Sequence, residues 1–329
     1  MKVVIPLAGL GTRLRPQTYT RPKPLVNLAG KPLLGHILDR LSGLPIEEVI
    51  FITGYLGHQI EEYVRANHDF PARYVEQTEQ LGQAHAIQLA SEWLHGPTFV
   101  VFADTIFETD IKRIMSVESD GLLYVREVDD PRRFGVAVMN GHYIARLVEK
   151  PATPVSNLAV VGLYYFSEGK ELAAATEELI SRGQQTQGEY YIADAIQLMI
   201  DGGAKLETEK LDVWLDCGTP AALLDTNQYL LSVTHGGQYH FDDATVIPPV
   251  YIGEGVEVHR AVIGPNVSLD AGAEVVGSIV CDSILGKDCR IENATLCRSI
   301  IGEGATLRGV YSQLNVGDKS YINLGAPEE

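Results

Sequence analysis

The chain has 329 residues, 45% of them hydrophobic and 21% charged, and a formal net charge of −17 at pH 7. That composition suffices for a buried core and excludes a disordered polymer, while the acidic balance excludes general binding to nucleic acid or to an anionic membrane surface. No apolar run approaches the roughly 18 residues of a membrane helix. Met1-Lys2-Val3-Val4-Ile5-Pro6 enters a glycine turn in place of an apolar leader, so a cytoplasmic protein without membrane partners is expected.

At roughly 150 residues per domain the length predicts two domains. The pattern changes at His235-Gly236-Gly237, which sets the expected boundaries at 1–234 and 235–329. In the first part short apolar runs alternate with amphipathic stretches, the pattern of an α/β domain with a mixed, mostly parallel sheet. Residues 3–8 read as a strand, 31–41 as a helix, 48–53 as a strand, 58–67 as a helix and 73–77 as a strand. A helix over 83–93 and a strand over 98–103 follow. Between 122 and 166 alternating runs such as Gly135-Val136-Ala137-Val138 replace helices, which predicts an antiparallel insertion. Helices return near Gly169 and Tyr191, and Asp216-Cys217-Gly218-Thr219-Pro220 reads as a strand end, a turn and a helix start.

Beyond the boundary an aliphatic, a glycine, four residues and a second aliphatic recur at 252–258, 263–269, 285–291 and 301–307. Cys281-Asp282-Ser283-Ile284-Leu285-Gly286 returns sixteen residues later as Cys297-Arg298-Ser299-Ile300-Ile301-Gly302. Such steps fit a coil with three short sides whose inward residues stack. The repeats resemble the hexapeptides of left-handed parallel β-helices, which implies four or five coils over 244–322. Four cysteines, Cys217, Cys281, Cys289 and Cys297, form no CxxC pair. Reduced thiols are expected, the last three as stacked inward residues.

Leu7-Ala8-Gly9-Leu10-Gly11-Thr12-Arg13-Leu14 follows the first strand, where glycines let backbone N–H groups approach a phosphate. A dinucleotide fingerprint fails because Leu14 stands where its third glycine belongs, and a P-loop fails at Leu14-Arg15-Pro16. Six cations, Lys2, Arg13, Arg15, Arg21, Lys23 and Lys31, precede the first acidic residue, Asp39. A basic island among glycines and prolines predicts an anion site. Prolines on both sides of Lys23 hold its backbone stiffly for a ligand.

The run from Gly9 to Leu25 resembles the signature of sugar nucleotidyltransferases, enzymes that make nucleotide-sugars from a nucleoside triphosphate and a sugar 1-phosphate. The resemblance continues in order along the chain. It implies a Rossmann-like nucleotidyltransferase domain followed by the β-helix, and within the family it is closest to the long glucose-1-phosphate thymidylyltransferases with a β-helical tail. Leu7, Ala8, Gly9, Gly11, Thr12 and Arg13 match the loop around the triphosphate, and Lys23 matches the lysine that meets developing charge. Tyr74-Val75-Glu76-Gln77 with Leu81-Gly82-Gln83-Ala84 matches the segment that reads the base, through Gln77 and Gly82. Phe102-Ala103-Asp104-Thr105 and Trp214-Leu215-Asp216-Cys217 match the two metal-binding ends, with Ala103, Thr105 and Cys217 as departures. For the sugar phosphate the matching positions are Gly135, Glu149, Lys150, Asn157, Val160 and Glu189.

The resemblance implies transfer of a nucleotidyl group, with dTTP or UTP as donor, to a sugar 1-phosphate such as glucose 1-phosphate, with release of pyrophosphate. The attacking phosphate oxygen is already an anion, so no serine, cysteine or general base is required. Asp104 and Asp216 are hard oxygen ligands suited to Mg²⁺. Arg13 supplies a planar fork for phosphates, and Lys150 is expected on the incoming sugar phosphate. Two alternatives stand beside this reading: acetyl transfer on the β-helix, whose single histidine within the repeats is His259, and a non-catalytic regulatory homologue. Both carboxylates and the cations Arg13, Lys23 and Lys150 are present, which argues against the latter. A homo-oligomer built on the β-helix is expected.

Overall fold

The computed structural model describes residues 1–234, 237 and 239–309. The chain forms two compact units, Met1–His235 and Gly236–Glu329.

The first unit is organised by buried parallel strands. β1 (Lys2–Pro6), β2 (Glu48–Thr53), β3 (Ala72–Glu76) and β4 (Thr98–Val101) are followed by the short β5 (Thr105–Glu108). β6 (Gly121–Glu127), β7 (Gly135–Asn140), β8 (Tyr143–Glu149) and β9 (Leu158–Phe166) form the expected antiparallel part, and β10 (Leu206–Lys210) and β11 (Val213–Asp216) close the series. The main sheet runs β8-β7-β9-β4-β1-β2-β3, with β6 also paired to β9 and β10 beside β6. β1 lies between β2 and β4, parallel to both, so Val4 faces Ile50 on one side and Val100 on the other. Runs such as Val49-Ile50-Phe51-Ile52 are wholly buried because helices cover both faces, which is why these strands read as continuous apolar runs.

α1 (Leu33–Arg40), α2 (Gly57–Asn67), α3 (Gln83–Gln88), α4 (Gly169–Ser181), α5 (Ile192–Asp201) and α6 (Pro220–Thr234) complete the unit. Val4, Ile50, Ile52 and Val100 join Ile87 of α3, Leu172 and Leu179 of α4 and Ile196 of α5 in one core cluster. Each such aliphatic side chain contributes about 1.5–3 kcal/mol by leaving water. Two expected helices are shorter than the sequence pattern suggests. Helix 31–41 starts at Leu33 because Lys31–Pro32 pairs with Asn27–Leu28 as a small hairpin, and Leu33 N–H donates to Val26 C=O. Helix 83–93 ends at Gln88 and resumes as a 3-10 turn, Ser91–Trp93, where the Arg73 guanidinium lies 4.6 Å from the Trp93 ring. No helix among the described residues is long and apolar enough to cross a membrane.

Among its described residues the second unit forms three parallel sheets of four short strands each, the arrangement of a left-handed parallel β-helix of hexapeptide repeats. Ile252, Leu269, Leu285 and Ile301 stand in register, as do Val258, Val275, Ile291 and Leu307, while Ile263 of the 263–269 repeat stands in the third sheet between Val246 and Val280. Corners are turned by residues in the left-handed region, among them Asn266 and Asp282, and Asn266 Nδ2 donates to Asp282 Oδ1 at 2.7 Å. On one outer face Arg290 pairs with Glu274 and Glu292, and Glu292 with Arg308, so opposite charges bridge neighbouring coils. Expected coils beyond residue 309 lie outside the described residues. One expectation needs correction. Cys289 is buried, but Cys281 and Cys297 stack in register on the outer flank, because Val280 and Leu296 take the inward positions of their strands.

Candidate active site

The site is built where the parallel strands end. β1 runs into Leu7 to Leu14, β3 into Gln77, and β4 into Phe102 to Asp104, so three connections converge at the carboxyl edge of the sheet, where open α/β sheets bind ligands. After β1 the chain makes a 3-10 turn, Thr12–Leu14, instead of an α-helix; Gly11 takes φ 60° at its start, and its carbonyl accepts from Thr18 Oγ1 at 2.8 Å. The turn aims Arg13 back over the strand ends.

Two cavities adjoin there. The first, of about 470 Å³, is lined by Leu7, Ala8, Gly9, Gly11, Thr12, Arg13 and Lys23 on one side and by Gln77, Gly82, Asp104 and Glu189 on the other. The second, of about 220 Å³, is lined by Gly135, Glu149, Lys150, Val160, Tyr191, Trp214 and Asp216. Arg13 and Asp104 line both, so the cavities meet at one cation and one carboxylate. Of the candidate residues named from the sequence, Asn157 lines neither; its backbone carbonyl accepts from Val128 N–H at 3.0 Å. Glu189 lines the first cavity and not the second, where the sugar-phosphate residues gather.

The basic island divides. Lys2 pairs with Glu48, Lys31 with Asp39, and Arg15 lies over the Tyr19 ring at 4.9 Å. Of the six cations, Arg13 and Lys23 alone line the two cavities. Lys23 Nζ is 3.9 Å from Asp104 Oδ2, with the lysine mostly buried and the carboxylate half exposed.

Strand pairing brings the two carboxylates together. β11 runs antiparallel to β5 with Asp216 opposite Thr105, and Cys217 N–H donates to Asp104 C=O at 2.9 Å. Asp216 Oδ1 also accepts from Gly218 N–H at 2.8 Å, which fixes its orientation. Two carboxylates lining one cavity make a hard-oxygen donor set that fits a divalent cation such as Mg²⁺ better than a soft metal. Cys217 is no nucleophile: burial pushes its thiol up to about 12, and its Sγ packs 3.6 Å from Thr226 Oγ1.

In the second cavity burial pushes the Glu149 carboxyl up to about 7; Lys150 opposes that shift, and Asp194 and Glu189 add to it. Gly135 stands directly opposite Glu149 across β7 and β8, and a Cβ there would lie 2.9 Å from Glu149 Oε2, so the glycine makes room for the carboxyl group. Lys150 adopts φ 42°, touches the Tyr191 hydroxyl and lies 4.3 Å from the Tyr191 ring. Thr105 Oγ1 and Trp214 Nε1 are buried without a hydrogen-bond partner among the described residues, the condition of groups that await a polar ligand. Sequence reasoning missed Tyr191 and Trp214 as site residues. Tyr191 lies two residues from Glu189, and Trp214 sits inside the quoted motif two residues from Asp216, so strand alternation was the available signal for Trp214.

The family model described as nucleotidyl transferase matches residues 2–233. The chain is 32% identical over 323 residues to a glucose-1-phosphate thymidylyltransferase of Streptomyces griseus, which covers 94% of this chain and 89% of that protein. It is 34% identical over 247 residues to the UTP–glucose-1-phosphate uridylyltransferase AglF of Haloferax volcanii, covering 71% of this chain and 98% of that protein. The bifunctional protein GlmU of Methanocaldococcus jannaschii is 35% identical over 234 residues, covering 70% of this chain and 54% of its own length. Among solved structures, a provisionally named glucose-1-phosphate thymidylyltransferase from Bacillus anthracis, in complex with sucrose, superposes with a TM-score of 0.60 at 25% identity, covering 73% of this chain and 98% of that one.

Proposed function

The chain belongs to the nucleotidyl transferase family, and on that premise we propose that it transfers a nucleotidyl group from dTTP or UTP to glucose 1-phosphate, releasing pyrophosphate. The observation that carries this reading is the meeting of the two cavities at Arg13 and Asp104. A triphosphate along the glycine turn and a sugar phosphate beside Lys150 would bring a phosphate oxygen against the α-phosphorus at that junction.

The work of the protein is then positioning and charge neutralisation. Arg13 grips the triphosphate through its planar fork, and Lys23, held near Asp104, meets the charge that develops on the transferring group. Lys150 holds the incoming phosphate, and Glu149 reads a sugar hydroxyl. Asp104 and Asp216 are the residues that would hold Mg²⁺, which when bound neutralises phosphate charge. The first unit is the catalytic domain in this reading. The enzyme acts in the cytoplasm, and the β-helix serves assembly into a homo-oligomer, with Ile279, half exposed on its flank, as a contact point.

One observation favours a second activity on the β-helix: His259 Nδ1 lies 3.5 Å from Asp243 Oδ2, a pairing that could orient a base for acetyl transfer. Thiol release from acetyl-CoA with an amino-sugar phosphate tests it, and its absence rejects it.

Pyrophosphate release with Mg²⁺, across dTTP, UTP, GTP, CTP and ATP against glucose, N-acetylglucosamine, galactose and mannose 1-phosphates, tests the main reading. A maximum at dTTP or UTP with glucose 1-phosphate supports it, and silence across the grid from folded protein overturns it.

A further inference from the structure

The base-reading glutamine is held by a histidine for which the reaction itself has no use. Gln77 follows β3, is buried, and donates its backbone N–H to Thr53 C=O at 2.8 Å. Its side-chain Nε2 makes two contacts, with Gly82 C=O at 3.1 Å and with His85 Nδ1 at 3.0 Å. A carbonyl only accepts, so the contact with Gly82 requires the amide nitrogen on that side. Both amide hydrogens are thereby committed, one to the carbonyl and one to the ring nitrogen. His85 Nδ1 must then be the acceptor, which places the ring proton of the neutral imidazole on Nε2. The remaining polar atom of the amide is Oε1, for which no donor stands among the described residues, and Gln77 lines the first cavity.

We infer that His85 is a positioning residue for nucleobase selection. By accepting the second amide hydrogen it locks Gln77 with Oε1 as an acceptor toward the base. An acceptor there suits a base whose ring edge carries an N–H, as the N3–H of uracil and thymine does. It opposes cytosine, whose N3 is itself an acceptor, so lone pair would face lone pair. Without an acceptor at position 85 the carbonyl of Gly82 alone opposes rotation of the amide, and that carbonyl already accepts Ala86 N–H at 3.1 Å. A rotated amide would present N–H to cytosine N3. The selection therefore lies in two residues: Gln77 makes the contact, and His85 decides its polarity. A site built to satisfy one hydrogen-bond pattern discriminates strongly because the wrong partner leaves buried groups unpaired.

This inference rests on the proposed base pocket, and the experiment separates the two. The kcat/KM ratio of UTP to CTP with glucose 1-phosphate is measured first on the wild-type protein. An enzyme that takes CTP as readily as UTP removes the base pocket reading, and with it this one, before any variant is made. Given a preference, His85→Leu and His85→Ala are expected to lower the ratio at least tenfold, through a rise in KM for UTP and a fall for CTP, with kcat little changed. His85→Asn, whose Oδ1 can take the place of Nδ1 as acceptor, is expected to keep the ratio within about threefold of wild type. A ratio unchanged in folded His85→Leu, or lost equally in His85→Asn, overturns the assignment. A purely structural role would lower kcat for both nucleotides and leave the ratio where it was.

Discussion

Asp216 stands beside Asp104 because two short strands pair antiparallel: Asp216 faces Thr105 in register, and the next residue, Cys217, donates its N–H to the Asp104 carbonyl at 2.9 Å. The two residues are 112 positions apart in the chain, yet the backbone ladder alone fixes their separation. The carboxylates can therefore be neutralised without loosening the scaffold that holds them.

This yields the first prediction. Asp104→Asn and Asp216→Asn each lower turnover by about a hundredfold or more, and circular dichroism melting of both variants stays close to wild type. A folded double variant with full pyrophosphate release would remove both residues from the site.

Gly218 provides a second test at the same junction. A Cβ there would lie 2.8 Å from Asp216 Oδ1 and 2.9 Å from Arg13 Nη2, so alanine must displace a carboxylate, a guanidinium or both. Gly218→Ala is expected to cost at least about tenfold in kcat/KM, since small misplacements of positioning groups carry large rate losses. Steady-state kinetics with equal activity in the variant would show that these two groups tolerate the shift.

The helices and strands of the first unit were legible where one face of each had to be apolar, and least so at their ends. The parallel strands announce themselves because both faces are covered, as in Val49 to Ile52. The end of α3 at Gln88 does not: Trp93, in the 3-10 turn beyond it, packs against Arg73 of a strand distant in sequence, a contact that no local pattern contains. The candidate site was read as an ordered set of motifs, and five of the six cations of the basic island are divided between ion pairs with Glu48 and Asp39, a stack on Tyr19, and the cavity itself. Charge alone does not separate Arg15 from Arg13; the motif match named Arg13, and the 3-10 turn that contains it borders the cavity. The outward position of Cys281 and Cys297 was likewise hidden, because a one-residue shift along a strand moves a side chain from the inner face to the outer.

Glu149 supplies a pH prediction. Folded, it keeps its proton up to about pH 7, whereas its ordinary value is 4.5. Between those values the folded state binds more protons than the unfolded one, so stability falls as pH rises through the window and is greatest below it, by on the order of 3 kcal/mol across the whole interval. Thermal melts of the ligand-free protein should show this fall, and Glu149→Gln should flatten it. In the same variant KM for glucose 1-phosphate should rise more than kcat falls. An identical pH profile in wild type and variant would place the slope elsewhere.

The β-helix predicts a packing cost. Ile291 is fully buried in the ladder with Val275 and Leu307. Ile291→Ala leaves a cavity between coils and should destabilise this unit by about 2–5 kcal/mol, read as a lower urea midpoint. A midpoint within error of wild type would mean that the ladder relaxes around the loss.

The central claim is that one junction joins the α-phosphorus of a nucleotide to a sugar phosphate. It is tested most directly by following label from dTTP in the presence of glucose 1-phosphate and Mg²⁺. Label at the α-phosphate is predicted to appear in the nucleotide-sugar, and label at the γ-phosphate wholly in pyrophosphate. Transfer of the γ-label to the sugar, or α-label recovered only as free nucleotide, would contradict the account.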